Sequence, residues 1–177
     1  ASLYKAIEHA QMRAALDLRK GQSERERQQS KEGRARLEAV LEDDQLAAAL
    51  QPIVRLEDGK VVGYEALARF PVEYDMSTGR WFEEAARHGM SIQLELAAAR
   101  VALAHMKRIP ADAYLAINAS PETVCSDELK AMLKDHDPHR LVLEITEHTP
   151  VEDYSRLNAC LSALQALGVR IAVDDTG

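Results

Sequence analysis

Hydrophobic spacing changes period several times along the chain, and each change marks an element. Leu3, Ile7, Ala10 and Ala14 recur as an apolar helical stripe with coiled-coil spacing. The stripe then stops. Positions 19–36 are almost wholly polar, carry Gly21 and Gly33, and hold more Lys and Arg than acid. A solvated linker helix fits this stretch, and so does a signalling helix joining an upstream sensor to a downstream domain. Apolar spacing resumes at Leu37, Val40 and Leu41. The expected organisation is therefore a linker or signalling helix over 1–45 and a folded domain over 46–177.

Within that domain, 51–56 and 60–70 alternate as strands around Glu57-Asp58-Gly59. Asp-Gly is a hairpin signal because glycine supplies the positive φ of the turn. So short a link makes the two strands antiparallel, since parallel partners need a long crossover. In the second strand, Gly63-Tyr64-Glu65-Ala66-Leu67-Ala68-Arg69, alternation puts Glu65, Leu67 and Arg69 on one face. An acid and an arginine on an apolar strand need partners there. A structural ion pair between them would leave the same pattern.

A helical region is predicted from Arg80, with Leu94, Ala97, Ala98 and Val101 as its buried stripe and Pro110 marking its end. Trp81 and Phe82 read as core, and His88 and His105 as ordinary histidines. The remainder alternates strand and helix. Strand 114–120 runs into Ser120-Pro121, an N-cap followed by proline in the first turn. Strand 141–146 is followed by Thr149-Pro150-Val151-Glu152, a capping box. Its helix carries Tyr154, Leu157, Leu161, Leu164 and Leu167 on one side and closes at Gly168; strand 170–173 leads into Asp174-Asp175-Thr176-Gly177. Such alternation means βαβ units and parallel strands, an α/β fold.

Composition narrows the function. The 177 residues are 46% hydrophobic, enough for a core, and the net charge of −7 argues against a nucleic-acid polymer as partner. No apolar run reaches the length of a membrane span, so no membrane contact is expected from this chain. No signal peptide is visible, and the start at Ala1 suggests a longer parent. Cys125 and Cys160 form no CxxC and are expected as reduced thiols of a cytoplasmic protein.

Glu65, Asn118, Glu144 and the pair Asp174-Asp175 stand at or near the C-terminal ends of four strands. In a parallel barrel those ends share one face. Carboxylates and an amide gathered there call for a cation, and an all-oxygen set suits Mg²⁺ or Mn²⁺ rather than zinc. Adjacent aspartates allow one carboxylate to bridge two ions, the arrangement that clamps an in-line displacement at phosphorus. Arg69, on the face of Glu65, is placed to meet a phosphate.

The order of Gln51-Pro52-Ile53-Val54, Glu65-Ala66-Leu67-Ala68-Arg69, Asn118-Ala119-Ser120, Glu144-Ile145-Thr146-Glu147 and Asp174-Asp175-Thr176-Gly177 resembles the successive motifs of the EAL family, the bacterial cyclic di-GMP phosphodiesterases. The resemblance implies a TIM-like (β/α) barrel with an antiparallel first strand. It implies hydrolysis of cyclic di-GMP to linear pGpG with two Mg²⁺ or Mn²⁺ ions. Glu65, Asn118, Glu144 and Asp174 would hold one ion; Asp174 would bridge to a second that Asp175 also holds. Gln51, Leu67 and Arg69 would contact the nucleotide, and Glu147 would steady the loop after the Asp-Asp strand. Thr176 stands where many members have Phe, and His148 matches no family ligand. A complete barrel runs to about 250 residues, so the match covers roughly the first half. The natural protein is expected to continue beyond Gly177 with a lysine, a further glutamate and a glutamine. The chain by itself is expected to be inactive and to self-associate through an open strand edge. Expected protein partners are a homodimer mate and an upstream sensor domain. The location is cytoplasmic, in a parent open to membrane tethering upstream. Rival readings are an inactive EAL domain that senses cyclic di-GMP and a dimerising regulatory fragment.

Overall fold

The structure, a computed structural model, describes residues 2–42, 45–146 and 153–174. By compactness the chain divides into a unit of residues 1–39 and a unit of residues 40–177. The first is most of α1 (Ser2–Glu42), one continuous helix of 41 residues that runs through Gly21 and Gly33 without a break. Side chains one turn apart support its polar stretch, with Gln28 donating to Glu32 and Arg34 paired to Glu38, both at 2.8 Å.

The second unit is built on a five-stranded sheet in sequence order: β1 (Ala47–Val54), β2 (Val61–Arg69), β3 (Tyr114–Ala119), β4 (Leu141–Thr146) and β5 (Arg170–Asp174). β1 runs antiparallel to β2, whereas β2, β3, β4 and β5 are mutually parallel. This is the α/β arrangement expected from the strand–helix alternation, with the reversed first strand that the short hairpin requires. The turn closes through Arg55 N–H to the Lys60 carbonyl and Gly59 N–H to the Arg55 carbonyl, both 2.8 Å. Gly59 takes a φ of +70°, the left-handed region where a side chain would be strained.

β1 begins at Ala47, four residues before the predicted start at 51. Three alanines and a leucine carry little strand preference of their own. They become a strand because Ala47, Ala48, Ala49 and Leu50 pair with Arg69, Ala68, Leu67 and Ala66.

The helical region after β2 is two helices, α2 (Thr78–Arg87) and α3 (Ser91–Leu103). Trp81 is wholly buried, stacked on Phe70 with 4.8 Å between ring centroids, as its reading as core required. In α3 the buried positions are Leu94, Ala99, Ala102 and Leu103, so the predicted stripe through Ala97, Ala98 and Val101 is rotated from the true one. Apolar residues surround that helix, and periodicity alone could not choose the face.

β3 passes into α4 (Pro121–Val124) with the expected cap, Ser120 Oγ accepting from Thr123 N–H. α5 (Asp127–Leu133) comes next. α6 (Tyr154–Ala166) is capped by Asp153, whose side chain accepts from Arg156 N–H; the predicted capping box at Thr149–Glu152 lies outside the described residues. Leu157 and Leu164 are buried, but Tyr154 and Leu167 are 68% and 54% exposed, which corrects the predicted five-residue stripe. At about 100° per residue, those two sit roughly 70° to either side of the line through Leu157 and Leu164.

Between sheet and helices lies one core. Leu115, Ile117, Leu143 and Ile145 alternate onto it from β3 and β4, and Leu103, Leu129, Leu133, Leu157 and Leu164 meet them from the helices. The intervening strand positions form the opposite face. Cys125, at the end of α4, and Cys160, in α6, are joined as a disulfide with Cα atoms 5.4 Å apart. This corrects the expectation of two reduced thiols: 35 positions of sequence separate them, and only the packing of α4 beside α6 brings them together.

Candidate functional site

Strand register decides which polar residues meet. Glu65 pairs with Ala116, and Asn118, two residues further along the same face of β3, pairs with Glu144. Thr146, two beyond Glu144, pairs with Asp174. Neighbouring strands lie about 4.8 Å apart, so these four positions form one band across β2, β3, β4 and β5. The band sits toward the C-terminal ends of the parallel strands, on the face turned away from the helix-covered core.

Within it, Asn118 Nδ2 donates to Glu65 Oε1 at 3.0 Å, a bond between residues 53 positions apart. Glu65, Asn118 and Glu144 are each half-buried. Glu65 and Arg69 form no ion pair among the described residues; Arg69 is exposed and its Nη1 donates to the carbonyl of Ala68 at 3.0 Å. The ion-pair explanation for the Glu65/Arg69 pattern therefore falls away. Gln51 stands directly across from Glu65 on β1, and Ala49 and Ala47 stand across from Leu67 and Arg69.

Asp174 closes β5 by its backbone; its side chain, with Asp175, Glu147, His148 and Thr176, lies outside the described residues. Among the described residues no three His, Cys, Asp or Glu side chains are grouped closely enough to hold a metal ion. The described oxygen donors of the band are two carboxylates and one amide, and the amide falls outside that count. Their chemistry suits a hard divalent cation. Asn118 commits its amide nitrogen to Glu65, and turning the amide over would offer Oδ1 instead.

One contact here was not foreseen. Glu95 Oε2, in α3, accepts from the backbone N–H of Ser120 at 2.8 Å, just where β3 leaves the sheet. Its only sequence signal is a lone acid within the apolar run Leu94-Glu95-Leu96-Ala97-Ala98-Ala99.

A cavity of about 600 Å³ lies at the opposite pole, near the N-terminal ends of β2, β3 and β5. Its cations already serve the fold. Arg140 donates to the carbonyls of Ala113 and Pro110 at 3.0 and 2.7 Å. Arg170 lies 4.4 Å over the ring of Tyr114, and Arg55 pairs with Asp58 at 3.4 Å. Among the described residues no helix is long and apolar enough to cross a membrane.

Known proteins resemble this chain in sequence and fold. The EAL domain sequence profile matches residues 34–177. An uncharacterised signalling protein of Caulobacter vibrioides is 34% identical over 76% of this chain and 18% of its own length. PdeB of Escherichia coli, a probable cyclic di-GMP phosphodiesterase, is 29% identical over 80% of this chain and 30% of its own. Among solved structures, Bacillus subtilis YkuI, an EAL-domain protein in complex with cyclic di-GMP and calcium, superposes with a TM-score of 0.68. It is 28% identical, over 80% of this chain and 38% of that one. Klebsiella pneumoniae BlrP1, in a manganese and cyclic di-GMP complex, superposes at 0.63 with 26% identity, over 75% and 35% of the two chains. The chain spans between 18% and 50% of the length of curated relatives that it matches in sequence. With its motifs in family order and its sheet matching EAL structures, the chain belongs to the EAL domain family.

Proposed function

We propose that this chain supplies the metal-holding and part of the nucleotide-contacting side of a site that hydrolyses cyclic di-GMP. The observation that carries the proposal is the meeting of Glu65, Asn118 and Glu144 on one face of three adjacent strands, joined by the 3.0 Å Asn118–Glu65 hydrogen bond. Glu65, Asn118, Glu144 and Asp174 would hold one Mg²⁺ or Mn²⁺, and Asp174 with Asp175 a second. Such ions, when bound, acidify water and offset charge developing on the phosphoryl oxygens.

The chain's own groups orient the substrate. Arg69 can release the Ala68 carbonyl and take a phosphate oxygen, an exchange of a neutral partner for a charged one. Gln51 and Leu67 face the nucleotide beside it, and Glu147 steadies the loop after the Asp174-Asp175 strand. In the reaction a water oxygen forms a new bond to phosphorus and the bond from phosphorus to the 3′ oxygen breaks. The leaving oxygen takes the proton, and the product is linear pGpG. The expected partners remain an upstream sensor domain reached through α1 and a second copy of the protein.

The test is cyclic di-GMP turnover, followed chromatographically, by the protein that carries this chain. Conversion to pGpG that stops on chelation and returns with Mn²⁺ or Mg²⁺ is expected. Turnover that survives chelation overturns the metal assignment. Tight binding without turnover replaces the enzyme by a cyclic di-GMP receptor.

A further inference from the structure

Ser120 stands at the joint between β3 and α4, two residues beyond Asn118, and is only 5% exposed. The paired positions of β3 end at Ala119, so the Ser120 N–H lies beyond the strand ladders. It finds its acceptor in Glu95, at 2.8 Å. The rest of Ser120 is tied to the next helix: its carbonyl accepts from Val124 N–H at 3.0 Å and its hydroxyl from Thr123 N–H at 3.4 Å. Glu95 is thus the tie that holds this joint against α3, while α4 holds it from the other side.

From this geometry we infer that Glu95 is a positioning residue for Asn118. This rests on the proposed reading of Asn118 as a metal ligand. Glu95 touches neither ion nor substrate. It fixes the height at which β3 ends, and so the aim of the Asn118 amide at the Glu65 carboxylate. A carboxylate suits the task because a charged acceptor makes a shorter and stronger bond to a buried N–H than a neutral one. Without an acceptor, the Ser120 N–H is buried and unsatisfied, and the joint relaxes toward whatever oxygen it can reach. Asn118, two residues upstream, moves with it.

The experiment compares E95A, E95Q and N118A with the parent protein by two readouts. In metal-free protein, the side-chain amide resonances of Asn118 report its bond to Glu65. E95A should shift or broaden them, and E95Q, which keeps an acceptor oxygen, should leave them near their parent positions. Mn²⁺ titration followed by electron paramagnetic resonance reads the consequence. E95A should weaken Mn²⁺ binding about tenfold or more, in the range seen when a group supporting a ligand is lost, with E95Q restoring most of it. E95A combined with N118A should bind no more weakly than N118A alone, because Glu95 acts through Asn118. A general loss of packing would instead weaken binding on top of N118A. Parent-like Asn118 resonances and Mn²⁺ affinity in E95A overturn the inference, as does additivity in the double variant. Should E95A unfold, failure of folded E95Q to keep the Asn118 resonances in place overturns it equally. A parent protein that takes up no Mn²⁺ overturns the ligand assignment itself, and this inference with it.

Discussion

Gly63→Ala tests how tightly the strand carrying Glu65 is seated on its neighbour. Gly63 pairs with Tyr114, and a Cβ built at Gly63 would stand 2.6 Å from two atoms of the Tyr114 ring. Its backbone is not in the left-handed region, so alanine brings no torsional strain. On backbone grounds alone the change should stabilise a strand by about 0.5–1 kcal/mol. Contact reverses the sign. The ring cannot simply swing away, because Arg170 lies 4.4 Å over it. Overfilling a packed site costs about 1–3 kcal/mol. The net expectation is a loss of about 1 kcal/mol, or roughly 2–4 °C in Tm for a chain of this size. Thermal and urea melts followed by circular dichroism measure it. Tyr114→Ala supplies the control: it removes the obstructing ring, so the double variant should be less destabilised than the two single losses summed, by about 1–3 kcal/mol. Gly63→Ala as stable as the parent, or strict additivity with Tyr114→Ala, would refute the reasoning.

Three further outcomes are expected. Leu143→Ala, at a wholly buried position of central strand β4, should cost about 2–5 kcal/mol in a urea melt; a loss under about 1 kcal/mol would mean the core collapses around the gap. Opening the Cys125–Cys160 disulfide, by reductant or by paired Cys→Ser changes, frees a 35-residue separation and should lower stability by about 3–4 kcal/mol; melts that coincide with and without reductant would count against the bond. Glu65→Ala should abolish metal-dependent hydrolysis while the circular dichroism spectrum stays unchanged, and a collapsed spectrum would make Glu65 a structural residue after all.

Local chemistry made much of the fold legible. Asp58-Gly59 announced the hairpin, and with it the direction of β1, because only glycine relaxes at that φ. Ser120-Pro121 announced the start of α4 because cap and proline act within one turn. The polar band was legible in part: two-fold strand alternation put Glu65 on the face of Leu67 and Arg69, and strand–helix alternation put Asn118 and Glu144 at or near the C-terminal ends of parallel strands. What escaped was nonlocal. Ala47–Leu50 is a strand only by virtue of β2 beside it. The face of α3 depends on which neighbours cover it, since apolar residues nearly encircle that helix. Cys125 meets Cys160, and Glu95 meets Ser120, only after helices have docked. No spacing in the sequence encodes such meetings.

The reversed first strand has a consequence for where force enters the domain. In an all-parallel barrel the first strand rises toward the chemical rim, and the chain is admitted at the far pole, roughly 25 Å away for an eight-residue strand. Here the traffic runs the other way. The chain enters β1 at Ala47, beside Arg69, and travels down past Leu67 to bring Gln51 abreast of Glu65. A pull or twist arriving along the backbone is felt first at the Arg69 end of β2 and only later at the hairpin. Because the pairing alternates in steps of two, a slip by a single residue would turn Gln51 off the face it shares with Glu65 altogether. β1 is in this sense the tuning slide of the domain, with its handle at the rim.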